Sequence, residues 1–116
     1  MDAVGLLRRY HDALNDYDED VVKAMFAPGA SYHSPGTGIQ RGRDAILSAM
    51  TAYFSEYPGQ VATDDEVEAL DANRVRSLWR LRATSNITGK TSFRQGVEVV
   101  TFGADGLIRK VEVEDR

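Results

Sequence analysis

The sequence predicts an α+β domain in which helices occupy the first half and an antiparallel meander the second. Three observations carry this reading. Apolar residues recur at helical spacing through the first half and at a spacing of two from Val61 onward. Gly- and Pro-containing breaks, such as Pro28-Gly29, Pro58-Gly59 and Asp105-Gly106, fall between the periodic segments. Helices followed by strands within 116 residues place the helices on one face of the sheet, as a single domain spanning 1–116 without repeat or linker.

Each element has its own local cause. Residues 3–15 set Val4, Leu7, Tyr10 (or His11) and Leu14 on one helical face, with Asp2 as N-cap. Asp18 caps a second, short helix. Glu19 and Asp20 suit its positive end, Val21, Val22, Met25 and Phe26 form its apolar stripe, and Pro28-Gly29 is expected to stop it. Ala30 to His33 reads as a short strand running into the loop Ser34–Gly38. Arg43-Asp44 opens a third helix carrying Ile46, Leu47, Met50, Tyr53 and Phe54 on one face, ended by Pro58-Gly59. Over residues 73–85, Val75, Ser77, Trp79, Leu81 and Ala83 alternate with Arg74, Arg76, Leu78, Arg80 and Arg82. Thr91 to Phe102 returns and Leu107 to Glu114 closes, giving three strands joined by Gly-containing turns.

Composition excludes several classes of function. Hydrophobic residues make up 42% and charged residues 28%, ordinary for a folded domain. A net charge of −4 argues against a broad nucleic-acid surface, which needs a positive field. With no Cys and two His, thiolate chemistry is excluded and neither a metal nor a cofactor is expected. No apolar run approaches the roughly 20 residues of a membrane helix, and the N-terminus lacks a signal peptide's apolar stretch. The expectation is a cytoplasmic domain without membrane or nucleic-acid partners. Asn86-Ile87-Thr88 matches a glycosylation sequon, read as chance in that setting.

Several motifs occur along the chain in a fixed order. Arg9, Tyr10, Ala13, Leu14, Asn15 and Asp18 resemble the first-helix signature R-Y-x-x-A-L-N-x-x-D. Phe26-Ala27 through Ala30, then Ser34-Pro35-Gly36, resemble the F-A-x-x-A-x-x-x-D-P-x-G stretch. Arg41–Ile46 resembles the opening of the third helix, and Gly96-Val97-Glu98 with Phe102 and Asp105–Ile108 resembles the closing strands. Together these motifs resemble the NTF2-like superfamily and within it the SnoaL-like and ketosteroid-isomerase-like groups, which implies a cone, with three helices on a curved, mainly antiparallel sheet and a pocket between them. The resemblance also implies a homodimer.

Four residues are candidates for chemistry, two matched by the resemblance, one that departs from it and one beside that departure. Tyr10 matches a tyrosine that donates to an enolate oxygen, a role suited to a phenol that stays protonated at neutral pH; the alternative is a core tyrosine. Glu98 matches an acid held neutral on the pocket side, and an apolar setting would raise its pKa; the alternative is an outward Glu paired with an arginine. Ser34 stands where the isomerases place their catalytic Asp, and a hydroxyl without an activating base cannot remove a proton at neutral pH. His33 has a suitable ordinary pKa for the missing base, although strand alternation points it away from Ser34's side unless a bulge or the turn at Pro35 reverses that; the alternative is a surface or packing residue.

Phe26, Met50, Phe54, Trp79, Leu81 and Val100 are the expected pocket wall, suited to a flat or aliphatic ligand. Asp115 is read as an exposed strand-end residue. Glu66, Glu68, Glu112 and Glu114 are expected to answer the arginines of the Trp79 strand. That outer face, with Leu78, Phe93, Val97 and Val99, is the expected dimer surface. Two functional readings follow. One is a pocket protein that binds or converts a small hydrophobic carbonyl compound by enolate stabilisation, resembling isomerases and polyketide cyclases. The other is a non-catalytic ligand-binding or dimerisation module.

Overall fold

The computed structural model describes residues 1–35 and 37–116; Gly36, in the Ser34-Pro35-Gly36 motif, lies outside the described residues. The chain runs α1 (Ala3–Asp16), α2 (Glu19–Met25), β1 (Phe26–Ser34), β2 (Gly38–Arg41), α3 (Arg43–Glu56), β3 (Val61–Ala69), β4 (Arg74–Thr84), β5 (Thr91–Phe102) and β6 (Ile108–Asp115). The strands form one curved, unclosed sheet in the order β2-β1-β6-β5-β4-β3. All neighbours are antiparallel except β1 and β6. Among the described residues, no helix is long and apolar enough to cross a membrane.

Both N-caps form as the sequence predicts. Asp2 accepts from the Gly5 N–H at 2.9 Å and Asp18 from the Val21 N–H at 3.3 Å, each satisfying a helix-end donor. Leu7, Tyr10 and Ala13 of α1, Val22 and Met25 of α2, and Ile46, Leu47, Met50 and Phe54 of α3 turn inward. They meet Val75, Val100, Phe102, Ile108 and Val111 of the sheet in one core. The β4 alternation holds throughout, with Val75, Ser77, Trp79 and Ala83 buried and Arg74, Arg80 and Arg82 exposed.

Four expectations about the elements are corrected. The second helix ends at Met25, not at Pro28-Gly29, because Phe26 already has extended dihedrals (φ −93°, ψ 136°). Pro28 and Gly29 are exposed inside β1, where its register with β6 shifts between Phe26 and Ser31; a missing N–H is tolerated at such a bulge. Gly38, expected to end the loop Ser34–Gly38, instead opens the edge strand β2, which pairs with β1 from Ser31↔Arg41 to Ser34↔Gly38. Residues 61–69 form a full strand, so the meander has four strands rather than three.

The charge ladder also differs in detail. Arg76 does meet Glu68 at 3.0 Å, but Arg80 takes Asp65 and Arg74 takes Asp71, each at 2.7 Å. Glu112 and Glu114 instead lie near Lys110 and Arg116. The Asn86 side chain donates to the Ser55 carbonyl at 2.8 Å, tying the β4–β5 turn to the end of α3.

Candidate functional site

A cavity of about 670 Å³ lies between the helices and the inner face of the sheet, within the usual range for small-molecule sites. Met50 and Phe54 of α3 and Trp79 and Leu81 of β4 line it, together with Tyr53 and Tyr57. Phe26 and Val100, expected in the wall, lie deeper. Both are fully buried in the core, and Phe26 packs edge-on against Tyr10 with ring centroids 5.6 Å apart.

The polar side of the cavity is a chain of three side chains. His11 Nδ1 lies 2.7 Å from Asp64 Oδ2 and 2.9 Å from Oδ1, while its Nε2 lies 2.5 Å from Glu98 Oε1. All three residues line the cavity and are largely buried, with side-chain exposures of 14%, 13% and 8% for His11, Asp64 and Glu98.

Local structure explains why these distant residues meet. Asn15, one helical turn after His11, donates to the Ala62 carbonyl and accepts from the Ala62 N–H, both at 2.9 Å. That two-bond clamp lays α1 along the start of β3. Residues i and i+4 share a helix face, and residues i and i+2 share a strand face, so clamping Asn15 to Ala62 brings His11 to Asp64. A bulge completes the placement. The register passes from Asp64↔Trp79 to Glu66↔Leu78, leaving Asp65 as the extra residue. Asp64 therefore faces the cavity with Ala62, Asp65 turns out to Arg80, and inward alternation resumes at Val67. Glu98 sits in mid-β5, opposite Ser77 and Val113.

Two carboxylates make His11 a cation. Burial alone would lower the imidazole pKa. The negative charge of Glu98, hydrogen bonds to Asp64 and Glu98, and the charge of Asp64 outweigh burial and raise it from 6.5 to about 10. His11 is therefore an imidazolium at neutral pH, with both N–H groups donated to carboxylates. Glu98 lines the cavity, on the pocket side that the sequence reading gave it, and its neighbour there is the His11 imidazolium. Glu98 meets it through Oε1, and Oε2 has no hydrogen bond among the described residues.

The remaining candidates separate by position. Tyr10 lies beside this chain rather than on the cavity; it is fully buried, and its hydroxyl has no hydrogen-bond partner among the described residues. Burial, then Tyr32 and Glu98, push its pKa well up. Ser34 lines the cavity and so does Tyr32, whose phenol is likewise held protonated, chiefly by burial and the charge of Glu98. His33, between them, is not among the lining residues, as strand alternation requires. Asp115 is exposed and pairs with Arg94 at 2.7 Å.

Neither His11 nor Asp64 was singled out as a site residue from the sequence. His11 was visible only as the alternative to Tyr10 on the inner face of α1. Asp64 gave no signal, because strict alternation backward from Val67 places it on the outside.

Fold and site together define a small α+β pocket domain with a buried acid–imidazolium–acid chain at its polar wall. The family model for the SnoaL-like domain matches residues 7–111, and the chain belongs to that family. No curated protein matches the sequence significantly. Among solved structures, a candidate polyketide cyclase from Xanthomonas campestris is 24% identical, with a TM-score of 0.86 over 96% of this chain and 87% of that one. The protein Bal32a from a soil-derived mobile gene cassette is 27% identical, with a TM-score of 0.85 over 96% and 86%. A Mycobacterium tuberculosis protein in complex with estradiol-17β-hemisuccinate is 15% identical, with a TM-score of 0.85 over 96% and 91%. These similarities show the NTF2-like fold and its SnoaL-like branch.

Proposed function

We propose that the protein binds a small hydrophobic carbonyl compound in this cavity and transfers a proton at the carbon next to the carbonyl. The observation that carries the reading is the Asp64–His11–Glu98 chain on the wall of an otherwise largely apolar and aromatic cavity. Glu98, through Oε2, takes the proton from the α-carbon, the C–H electron pair becomes the enolate π-bond, and the carbonyl electrons move onto oxygen. The Tyr32 hydroxyl donates to that oxygen. His11, fixed by Asp64, supplies positive charge where negative charge develops, in a site largely shielded from water. Glu98 then returns the proton to the substrate. In this scheme Glu98 does the work that the missing Asp at position 34 does in the isomerases. Tyr10 packs behind His11, with ring centroids 5.5 Å apart, and serves as support.

The polyketide-cyclase and steroid-complex neighbours support the choice of a flat hydrophobic carbonyl ligand, since their folds superpose over nearly the whole chain. The test is α-proton exchange of a saturating steroid ketone in D2O, followed by NMR. Exchange faster than buffer that is lost in Glu98→Gln supports the scheme. Equal exchange by wild type and a folded, ligand-binding Glu98→Gln overturns it.

The binding-module alternative draws on Ser34, and an equal exchange rate at saturation is its expected result. In either reading we place the protein in the cytoplasm as a homodimer joined through the outer sheet face. Phe93 there is 76% exposed, and sedimentation of wild type against Phe93→Asp tests that arrangement.

A further inference from the structure

The cavity has a second charged end that the proton-transfer scheme does not use. Arg94 lies on the inner face of β5, four residues before Glu98 and on the same side, so the two are about 13 Å apart at roughly 3.3 Å per residue. Gly96 separates them, and the Trp79 ring fills the space above it. The Arg94 guanidinium lies over that ring, 5.6 Å from the centroid. Asp115 engages its Nε at 3.3 Å and one Nη at 2.7 Å; the other Nη has no hydrogen bond among the described residues. Its side chain is 32% exposed, so the cation stands at the rim, aimed both inward and outward. A second depression of about 650 Å³ adjoins it, sharing Leu81 and Arg94 and adding Arg82 and Arg116.

We infer that Arg94 is the specificity-determining residue for a carboxylate at the far end of the ligand, so that the preferred ligand is a hydrophobic carbonyl compound with a terminal acid. This rests on the proposed carbonyl site and adds the ligand's other end. The charges at the two ends select both the class and the orientation. At the inner end, one imidazolium between two carboxylates leaves a net negative charge, which repels an acid and accepts a neutral carbonyl. At the rim, a planar guanidinium with a free Nη accepts a carboxylate in a charge-assisted pair. Asp115 already half-neutralises it, and a partly exposed pair of this kind contributes little to stability, leaving it open to exchange with a ligand carboxylate.

The test uses 3-oxo-4-androstene-17β-carboxylic acid and its methyl ester, a rigid pair with the ketone and the acid or ester at opposite ends. Calorimetry at low salt measures both against wild type, Arg94→Gln and Asp115→Asn. Wild type is expected to bind the acid about tenfold more tightly than the ester. Arg94→Gln removes that preference, whereas Asp115→Asn increases it by freeing the guanidinium. Equal binding of acid and ester by wild type, or a preference that survives Arg94→Gln, overturns the assignment while the ester still reports an intact carbonyl site. Binding of neither compound to wild type overturns the carbonyl reading and this inference with it.

Discussion

His11→Gln removes the positive charge between Asp64 and Glu98 while keeping a polar side chain in its place. Two routes give the size of the effect. Removing one member of a buried ion pair costs about 3–5 kcal/mol, and the low exposure of all three side chains leaves little solvent screening. Independently, a rise in the His11 pKa from 6.5 to about 10, at about 1.4 kcal/mol per pH unit, caps the contribution near 5 kcal/mol. The sign follows from the raised value. The stabilisation is complete below about pH 6.5 and is lost as the pH climbs through about 10. Urea denaturation of both proteins across that window, with the difference between them isolating His11, measures it. At neutral pH the variant should be less stable by about 3–5 kcal/mol, roughly 10–20 °C in Tm. The gap should narrow toward the alkaline end. A loss below about 1 kcal/mol, or a gap that does not change with pH, refutes a charged His11 in the folded protein.

Gly96→Ala places a methyl group against the Glu114 carbonyl oxygen and 2.7 Å from the Trp79 ring. It should destabilise the protein by about 3 kcal/mol, the upper end for overpacking, in a thermal melt. Asn15→Ala removes both bonds to Ala62 and should cost about 1–2 kcal/mol. Urea denaturation reads that cost, and an alkaline NMR titration should show the His11 pKa falling as α1 loosens from β3. Trp79 is the single tryptophan and lines the cavity, so a steroid ketone should change its emission saturably. Met50→Phe, which narrows the same cavity without adding a second tryptophan, should weaken that response.

Much of the architecture was legible in the residues because burial there obeys one period. The arginine-bearing alternation of β4 and the apolar stripe of α3 needed no context. Legibility failed where tertiary contacts overrode the local pattern. Phe26 fits the helical stripe of α2, but the sheet recruits it into β1, and Pro28 survives there only because the pairing bulges. β2 carries no apolar alternation and forms because the returning edge of β1 offers hydrogen bonds.

The site divides in the same way. Glu98 stood out as a carboxylate in an apolar strand, and Met50, Phe54, Trp79 and Leu81 line the cavity where their faces pointed. Asp64 was hidden by the Asp65 bulge, which reverses the parity of the first half of β3. His11 was hidden by its neighbour, since Tyr10 takes the core position and leaves His11 at the boundary where the cavity opens. A one-residue change in register separates a solvated aspartate from one that holds an imidazolium.

In the proposed complex the carbonyl end of the ligand sits against the Asp64–His11–Glu98 chain. The chain holds two histidines, and imidazole ¹⁵N spectra report on each. Titrating the protein at neutral pH with 3-oxo-4-androstene-17β-carboxylic acid should move the His11 nitrogens as the ketone approaches Glu98, with His33 unchanged on the other face of β1. Saturable binding that leaves the His11 signals in place, or that moves His33 instead, would contradict the account.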